Sequence, residues 1–473
     1  MESSESLDPA SPITSKDEIP LRKFSISSES SSGSEESHLL FNEDLEWRQK
    51  LPPVDRGAGA WKFLLGCWLI EAMLWGFPLA FGIFQSHYSS HPLFSSSKYI
   101  PTVGALAVGI SYLGVPITSP FTLRYPQYHL HILFSGWLLC ILGLVLASFA
   151  TKTWHLLLTQ GAMYGVGWVI CYTPFLIMLN DWFESRRGLA YGILFGASGV
   201  SGLILPFLLE TLIGHFDFRV TLRTYAFLCI LVSGPSFLLV RPRIPAHLQP
   251  PLQRSSMPKR SFNFLKNQLT YVFGISILLQ GLAFPLPPTF LPSYALGLSL
   301  SHSTGDILLA VNSLAQVTGQ ILLGHFSDNV SIHLPHSISC FISGLSCLLV
   351  WGSAGGLSSL VAFAALWGAF GGSYSVSWTK IAAGMAQEEE PGRRAEATMT
   401  LYAWFSFERG VADILAGPIS SVLLGDEVVE GTYGLRKWRG VVVFSGTVLL
   451  ASSLGGFGWR WERWVRGKGR SGR

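Results

Sequence analysis

The feature that most constrains the fold is an apolar, glycine-rich stretch at residues 188–202, directly after the basic pair Arg186 and Arg187. It holds five glycines: Gly188, Gly192, Gly196, Gly199 and Gly202. In a water-soluble helix each glycine would cost about 1 kcal/mol relative to alanine. In a bilayer, small residues three or four positions apart let two helices pack closely. The stretch therefore predicts a membrane-spanning helix that packs closely against a neighbour.

Apolar runs of about 20 residues, enough to cross a bilayer as a helix, recur along most of the chain. Charged residues make up 13% of it, against about 25% in soluble domains. These features predict an all-α polytopic membrane protein. The net charge of +4 fits cytosolic loops better than nucleic-acid binding, which we do not expect. Since the cysteines and histidines form no metal-binding motif, we expect no metal and no cofactor.

Hydropathy predicts twelve spans in two groups of six. The first group covers 61–86, 99–119, 129–149, 154–178, 188–210 and 222–240. The second group covers 267–294, 306–325, 336–354, 357–380, 397–424 and 440–458. An even number of spans places both termini on one side of the membrane. Most loop cations share that side, so we expect both termini in the cytosol.

The spans divide the chain into five regions. Residues 1–55 form a Ser/Glu-rich tail that cannot build a core and is expected to be disordered. Two six-helix halves, 56–240 and 267–459, are joined by a basic connector at 241–266, and a basic tail follows at 460–473. We expect the connector and both tails in the cytosol.

The halves show an internal repeat, because an arginine pair precedes both the fifth span (Arg186, Arg187) and the eleventh (Arg393, Arg394). Two six-helix halves with a cytosolic connector are the arrangement of the major facilitator fold. In that fold the substrate site lies near the bilayer midplane, and the halves rock around it.

Trp182-Phe183, followed by Arg186-Arg187-Gly188-Leu189-Ala190-Tyr191-Gly192, resembles the fifth-helix signature of the monocarboxylate porter family, in particular its fungal, riboflavin-transporter-like branch. The resemblance covers about residues 60–460 and implies a secondary transporter. Gly324-His325-Phe326-Ser327-Asp328 resembles the motif in which an aspartate pairs with an arginine at the cytosolic gate. The gate residues implied are Arg186, Arg187, Gly192, Gly324 and Asp328.

The sequence departs from this family at the positions that bind lactate. Animal lactate carriers have an aspartate and an arginine in the eighth helix, and these positions correspond to Gln316 and Gln320 here. The charges that would bind a carboxylate and couple it to a proton are therefore absent from these positions, and we do not expect a simple monocarboxylate carrier.

Inserting an ionisable side chain at the centre of a membrane helix costs about 2.5–3.5 kcal/mol, so each such residue is a candidate for a structural or functional role. Arg409 and Asp413 are four residues apart and can pair within their helix, either as a structural ion pair or to present positive charge to an anionic substrate. The adjacent Glu408 is a further candidate for coupling. Glu71 has no cation near it in sequence, which suits either a proton carrier or a neutral, hydrogen-bonded side chain.

Other candidates for substrate binding are polar or aromatic side chains within the spans: Trp75, Gln160, Tyr164, Gln280, Gln316, Gln320 and Tyr374. Each could bind a substrate or a neighbouring helix. The prolines that follow Gln280 predict an interrupted helix of the kind that lines transporter cavities. Several tryptophans favour a flat, partly apolar solute.

The predicted function is secondary transport of a small organic solute by alternating access in the plasma membrane. The sequence lacks the phosphate-binding pattern GxxxxGK[ST], so we expect an ion gradient, with a proton as the candidate coupling ion. A vitamin, an organic acid and a secondary metabolite are all candidate substrates, and both uptake and export are open. A transporter-fold nutrient sensor without significant flux is the alternative; we do not expect an enzyme. The expected partners are the solute and membrane lipid.

Overall fold

The computed structural model describes residues 51–95, 97, 99–245, 266–331, 333–389 and 393–457. Within these ranges nearly all residues are helical, and the β pairing is one isolated bridge between Val428 and Arg436. The all-α fold is therefore confirmed. Residues 1–50 of the predicted tail (1–55), residues 246–265 of the predicted connector and the predicted tail at 460–473 lie outside the described residues.

The described helices form twelve consecutive segments, α1 to α12. The first six are α1 (Ala58–Leu79 and Phe81–Ser90), α2 (Ile100–Leu113 and Val115–Arg124), α3 (His129–Ala147), α4 (Thr153–Leu156, Leu157–Met163 and Tyr164–Trp182), α5 (Arg187–His215) and α6 (Phe218–Ser236). The second six are α7 (Gln268–Ala283 and Leu286–Gly297), α8 (His302–Asn329), α9 (His333–Ser346 and Cys347–Trp351), α10 (Leu357–Leu366, Trp367–Gly371, Gly372–Ser375 and Val376–Met385), α11 (Arg394–Leu423) and α12 (Arg439–Ser453 and Leu454–Phe457).

Nine of the described spans are long and apolar enough to cross a membrane, and α2, bent by 43°, makes a tenth. The other two, α6 and α11, carry more charge. Arg219 and Arg223 lie at the start of α6, whereas Arg409 and Asp413 lie well inside α11. The α11 charges face the protein interior, where they can be paired instead of meeting lipid.

The predicted boundaries miss the helix ends by a few residues, because hydropathy marks where apolar residues begin and not where a helix is capped. The sixth span was expected from residue 222, but α6 begins at Phe218. The side chain of Asp217 accepts a hydrogen bond from the Phe218 amide at 2.8 Å and caps the helix there.

An irregular segment interrupts α10. Residues Trp367–Gly371 form a π-helical turn, and Gly372–Ser375 form a 3₁₀ turn. Such turns free backbone carbonyls, which need partners inside a membrane protein. The Gly371 carbonyl accepts from Gln280 Nε2 at 3.3 Å, and the Gly372 carbonyl accepts from Gln320 Nε2 at 3.0 Å. Amides on α7 and α8 thus stabilise the break in α10.

The glycines of α5 lie against α8, so this contact joins the two groups of six helices. A Cβ on Gly192 would lie 2.3 Å from the Gln320 carbonyl oxygen, and one on Gly199 would lie 2.8 Å from that of Ser313. From the other side, a Cβ on Gly324 would lie 2.4 Å from the Gly188 carbonyl oxygen. The two backbones pack so closely that no larger residue fits at these positions without movement.

Candidate functional site

A cavity of about 610 Å³ lies between the two groups of helices. Helices α1, α2, α4 and α5 line it on one side, and α7, α8, α10 and α11 on the other. Its lining runs from Glu71, midway along α1, to Gln85, Glu210 and Asp306 at the end where α1 finishes. We call that end the mouth.

Aromatic rings form one wall of the cavity. The ring of Trp75 stacks on Trp168 with centroids 5.4 Å apart and meets Tyr112 edge-on at 5.5 Å. Trp168 in turn stacks on Tyr172 at 5.2 Å. We call these four residues the aromatic wall. Such a surface suits a flat, apolar solute, which can stack on the rings.

At the end opposite the mouth, the two groups of helices are in contact below the cavity. The hydroxyl groups of Tyr172 on α4 and Tyr402 on α11 are 3.3 Å apart. The Tyr402 ring also lies 6.2 Å from that of Trp378 on α10. Together with the α5–α8 contact, these residues close the cavity on this side.

Arg409 is 7% exposed and lies in the cavity wall. Its Nε donates to Asp413 Oδ2 at 2.9 Å, and its Nη1 donates to Gln280 Oε1 at 2.6 Å. Its guanidinium also lies over the rings of Phe284 and Tyr112, at 4.6 and 5.9 Å from their centroids. The charge of Arg409 is thus balanced within its own helix and further stabilised by the electron-rich faces of two aromatic rings.

Glu71 lines the cavity from α1, in the first group of helices, and is 3% exposed. Its Oε2 has no hydrogen-bond partner among the described residues. One turn further along α1 is Trp75 of the aromatic wall. A buried carboxyl group with an unused oxygen at a cavity is able to bind a proton or a solute donor.

Four other candidates line the cavity as well: Gln280, Gln316, Gln320 and Tyr374. Gln280 and Gln320 bind the carbonyls of α10 described above. Gln316 donates from Nε2 to Ser198 Oγ on α5 at 3.1 Å, and this hydrogen bond crosses between the two groups of helices. Tyr374 packs its ring 4.8 Å from that of His336.

Three of the candidates lie away from the cavity lining. Gln160 accepts a hydrogen bond from the Tyr88 hydroxyl at 3.1 Å, and the Tyr164 hydroxyl donates to the Leu74 carbonyl. Glu408 faces α7, where its carboxylate lies 2.4 Å from the place of a Cβ on Gly274. Glu408 and Arg409 point in different directions because consecutive helical residues are about 100° apart.

Asp328 at the end of α8 binds the first turn of α5. Its two carboxylate oxygens accept hydrogen bonds from the amides of Gly188, at 2.6 Å, and Leu189, at 2.9 Å. The family motif implied an arginine partner, but the contacts of Asp328 here are with backbone amides. A helix N-terminus has free amide groups and a partial positive charge, so it can replace a cation. We call this contact, together with the glycine packing of Gly188, Gly192 and Gly324, the gate.

Asp55, just before α1, holds the other side of the same turn. Its carboxylate accepts hydrogen bonds at 2.9 Å from the amides of Glu184, Ser185 and Arg186. Partial burial raises the pKa of Asp55, but the hydrogen bonds outweigh it, and its pKa lies below the usual value. Arg187 donates to the Phe183 carbonyl at 3.3 Å. The basic pair therefore belongs to a turn fixed by two carboxylates, one from each group of helices.

Among the described residues, His87, His91 and Asp217 form a group whose potential metal ligands lie within 4.8 Å of one another. The Leu93 amide donates to His91 Nδ1 at 3.2 Å, so the ring proton of neutral His91 is on Nε2, the nitrogen nearer Asp217. Arg219 Nε also lies 3.7 Å from the other Asp217 oxygen. A ring nitrogen that holds a proton and a neighbouring cation fit a polar cluster better than a metal site.

Sequence reasoning missed several residues that line the cavity, including Tyr112, Ser198 and Asn312. Asn312 is 8% exposed, and its Oδ1 has no partner among the described residues. It precedes Gln316 by four residues, as Gln316 precedes Gln320. This spacing could have identified Asn312 from the sequence, because it places all three amides on one face of α8.

Comparison with known proteins agrees with this geometry. Residues 63–305, just over half of the chain, match the family model of the Major Facilitator Superfamily. The chain belongs to this superfamily. It is a multi-pass membrane protein, and its predicted function as a secondary transporter of a small organic solute is confirmed. The solved structure of the human organic anion transporter MFSD10 shares the fold, with a TM-score of 0.60 and 14% identity over 85% of this chain and 100% of that chain.

Several relatives within the superfamily are similar along most of the chain. The MFS transporter asaE of Aspergillus flavus is 25% identical over 404 residues, covering 85% of this chain and 88% of the relative. The Fujikurins efflux protein of Gibberella fujikuroi is 27% identical over 407 residues, covering 85% and 83%. Monocarboxylate transporter 12 of Xenopus laevis is 26% identical over 360 residues, covering 69% and 75%. The predicted resemblance to monocarboxylate porters and fungal transporters is therefore confirmed.

Proposed function

We propose that this transporter exports a flat, largely apolar organic solute from the cytosol by alternating access. The observation that carries the proposal is the cavity of about 610 Å³ with its aromatic wall. That volume is typical of sites for drug-sized ligands and far exceeds what a three-carbon acid needs. The direction is supported by relatives named as efflux proteins, such as the Fujikurins efflux protein.

In the proposed cycle, this structure corresponds to the state in which the gate is closed and the cavity extends to the mouth. Exposure of the cavity to the other side requires α5 and α8 to separate at the gate, with loss of the Asp328 and Gln316 hydrogen bonds. We place the gate on the cytosolic side, in the plasma membrane, with both termini in the cytosol. The positive-inside rule supports this orientation, because the gate turn carries Arg186 and Arg187.

We assign proton coupling to Glu71, because it is a buried carboxyl group in the cavity wall with an unused oxygen. The Arg409–Asp413 pair then has mainly a structural role, since Gln280 and two aromatic rings complete its environment. The two halves, residues 56–240 and 267–459, are the bodies that move.

Flux measurements in proteoliposomes test this proposal. Purified protein is reconstituted, and uptake of radiolabelled lactate and of riboflavin is measured with and without a proton gradient. We expect riboflavin, which has a flat ring system, to move faster than through protein-free vesicles, and lactate to stay at the background rate. Gradient-driven accumulation of lactate without transport of riboflavin would contradict the proposal.

A further inference from the structure

A row of amide side chains lines the cavity on α8: Asn312, Gln316 and Gln320. Their spacing of four residues places them on one helix face. Eight residues separate the first from the last, which corresponds to about 12 Å along the helix axis. We call these three residues the amide row. It is long enough to contact one edge of a solute with several fused rings.

The amide row has two acceptor oxygens that are not used by the protein. Gln320 Nε2 donates to the Gly372 carbonyl at 3.0 Å, and this fixes the orientation of the amide because a carbonyl oxygen can only accept. Oε1 of Gln320 and Oδ1 of Asn312 are buried and have no partner among the described residues. Buried polar atoms normally have a hydrogen-bond partner, and these oxygens are available to accept one from a donor group of a bound solute.

The facing side of the cavity adds a third oxygen, Oε2 of Glu71. Positive charge is scarce by comparison, because Arg409 is the one cation among the described residues that line the cavity. Asp413 and Gln280 already accept hydrogen bonds from Arg409, at 2.9 and 2.6 Å. A carboxylate in the cavity would therefore meet oxygen acceptors on two sides and a cation whose charge is already balanced.

We propose that the cavity selects uncharged, planar aromatic solutes that carry hydrogen-bond donors, such as phenolic hydroxyl or ring amide groups. The ring system stacks on the aromatic wall. Donors along one edge bind Asn312 and Gln320, and a donor on the other edge binds Glu71. This inference rests on the proposed transport function and adds a substrate class to it.

Binding of matched coumarins to the full chain in nanodiscs tests the inference. The probes are 6,7-dihydroxycoumarin, its dimethyl ether and unsubstituted coumarin. The ether lacks the donors but is bulkier, whereas coumarin lacks the donors without added bulk, so the two effects can be separated. Coumarin-3-carboxylate serves as the anion. At pH 5.5 the phenolic groups are neutral and the carboxylate is ionised. Binding is followed by quenching of tryptophan fluorescence, because Trp75, Trp168 and Trp378 line the cavity.

We expect 6,7-dihydroxycoumarin to bind about tenfold more tightly than the other three probes, the gain typical of one or two added hydrogen bonds. Asn312→Leu and Gln320→Leu should each reduce this advantage several-fold, measured within each variant as the ratio of its affinities for 6,7-dihydroxycoumarin and unsubstituted coumarin, because Gln320→Leu also removes the hydrogen bond to the Gly372 carbonyl. Gln127 is an exposed amide outside the cavity, so Gln127→Leu is the matched control and should keep the full advantage.

Equal affinity for the dihydroxy probe and unsubstituted coumarin would overturn the donor preference, and would leave the proposed transport of flat solutes standing. Tighter binding of coumarin-3-carboxylate, lost in Arg409→Gln, would overturn the preference for uncharged solutes. If none of the coumarins binds, both the substrate class and the proposed function are contradicted.

Discussion

Replacing Gly192 by alanine should open the gate. A Cβ at this position would lie 2.3 Å from the Gln320 carbonyl oxygen and 3.1 Å from its carbonyl carbon. Both atoms belong to the α8 backbone, so no side chain can rotate away. The helices would have to separate by about 0.7 Å even to reach the shortest distance that such contacts show. Overpacking of this kind costs about 1–3 kcal/mol.

The cost applies only where α5 touches α8, that is, in the state with the gate closed. Because 1.4 kcal/mol changes an equilibrium tenfold, we expect a shift of about 5- to 150-fold towards the state with the gate open. The gain in helix propensity from glycine to alanine, about 1 kcal/mol, is the same in both states and does not affect their ratio.

The assay is labelling of a cysteine at Gln85, in the mouth, by a maleimide in nanodiscs. All six native cysteines are buried, so background labelling is low. Gly192→Ala should slow the labelling of Gln85→Cys, because the mouth closes when the gate opens. Gly196→Ala is the control on the same helix, since its Cβ would make an ordinary 3.8 Å contact with Val317. Equal labelling rates in the two variants would refute the reasoning.

Three further predictions concern charged side chains. Asp413→Asn or Arg409→Gln alone should lower the melting temperature and flux more than the double variant, because removing one partner of a buried pair costs about 3–5 kcal/mol; equal losses in all three would indicate a direct role in transport. Glu71→Gln should abolish proton-driven flux and spare solute exchange, and unchanged driven flux would rule out this proton site. Asp55→Ala should lower stability at pH 5–8. Because folding lowers the pKa of Asp55, its ionised carboxylate stabilises the folded protein above the ordinary pKa of about 3.8. This stabilisation is lost as the pH falls through the folded pKa, so the melting temperatures of variant and wild type should converge at low pH.

The fold could be predicted because membrane helices leave strong marks in a sequence. Long apolar runs predicted the membrane helices, and the arginine pair repeated before the fifth and eleventh spans predicted their division into two groups of six. The glycines of residues 188–202 predicted close packing, and the structure identifies α8 as the helix they pack against. Helix ends were less predictable, because caps such as Asp217 depend on single polar residues outside the apolar runs.

The cavity was only partly predictable for a different physical reason. Glu71 and Arg409 could be identified from the sequence as interior residues, because ionisable side chains within a membrane span almost always face away from lipid. A membrane helix is apolar on all sides, so hydropathy does not show which side faces a cavity. Residues such as Tyr112 and Asn312 therefore stayed unnoticed, and Gln160 and Tyr164 were candidates although they bind neighbouring helices. Asp55 was missed because it lies at the end of the Ser/Glu-rich tail, where no apolar run indicates an ordered segment.

The central claim is that the solute crosses the membrane when α5 and α8 separate, and a reversible crosslink between these helices tests it most directly. A Cβ on Gly196 would lie 3.8 Å from Cγ1 of Val317, so cysteines at these two positions would face each other across the α5–α8 contact. Neither residue lines the cavity. In Gly196→Cys/Val317→Cys proteoliposomes, oxidation should abolish riboflavin flux and reduction should restore it, with both single variants unaffected. Full flux through the oxidised, crosslinked protein would contradict the account.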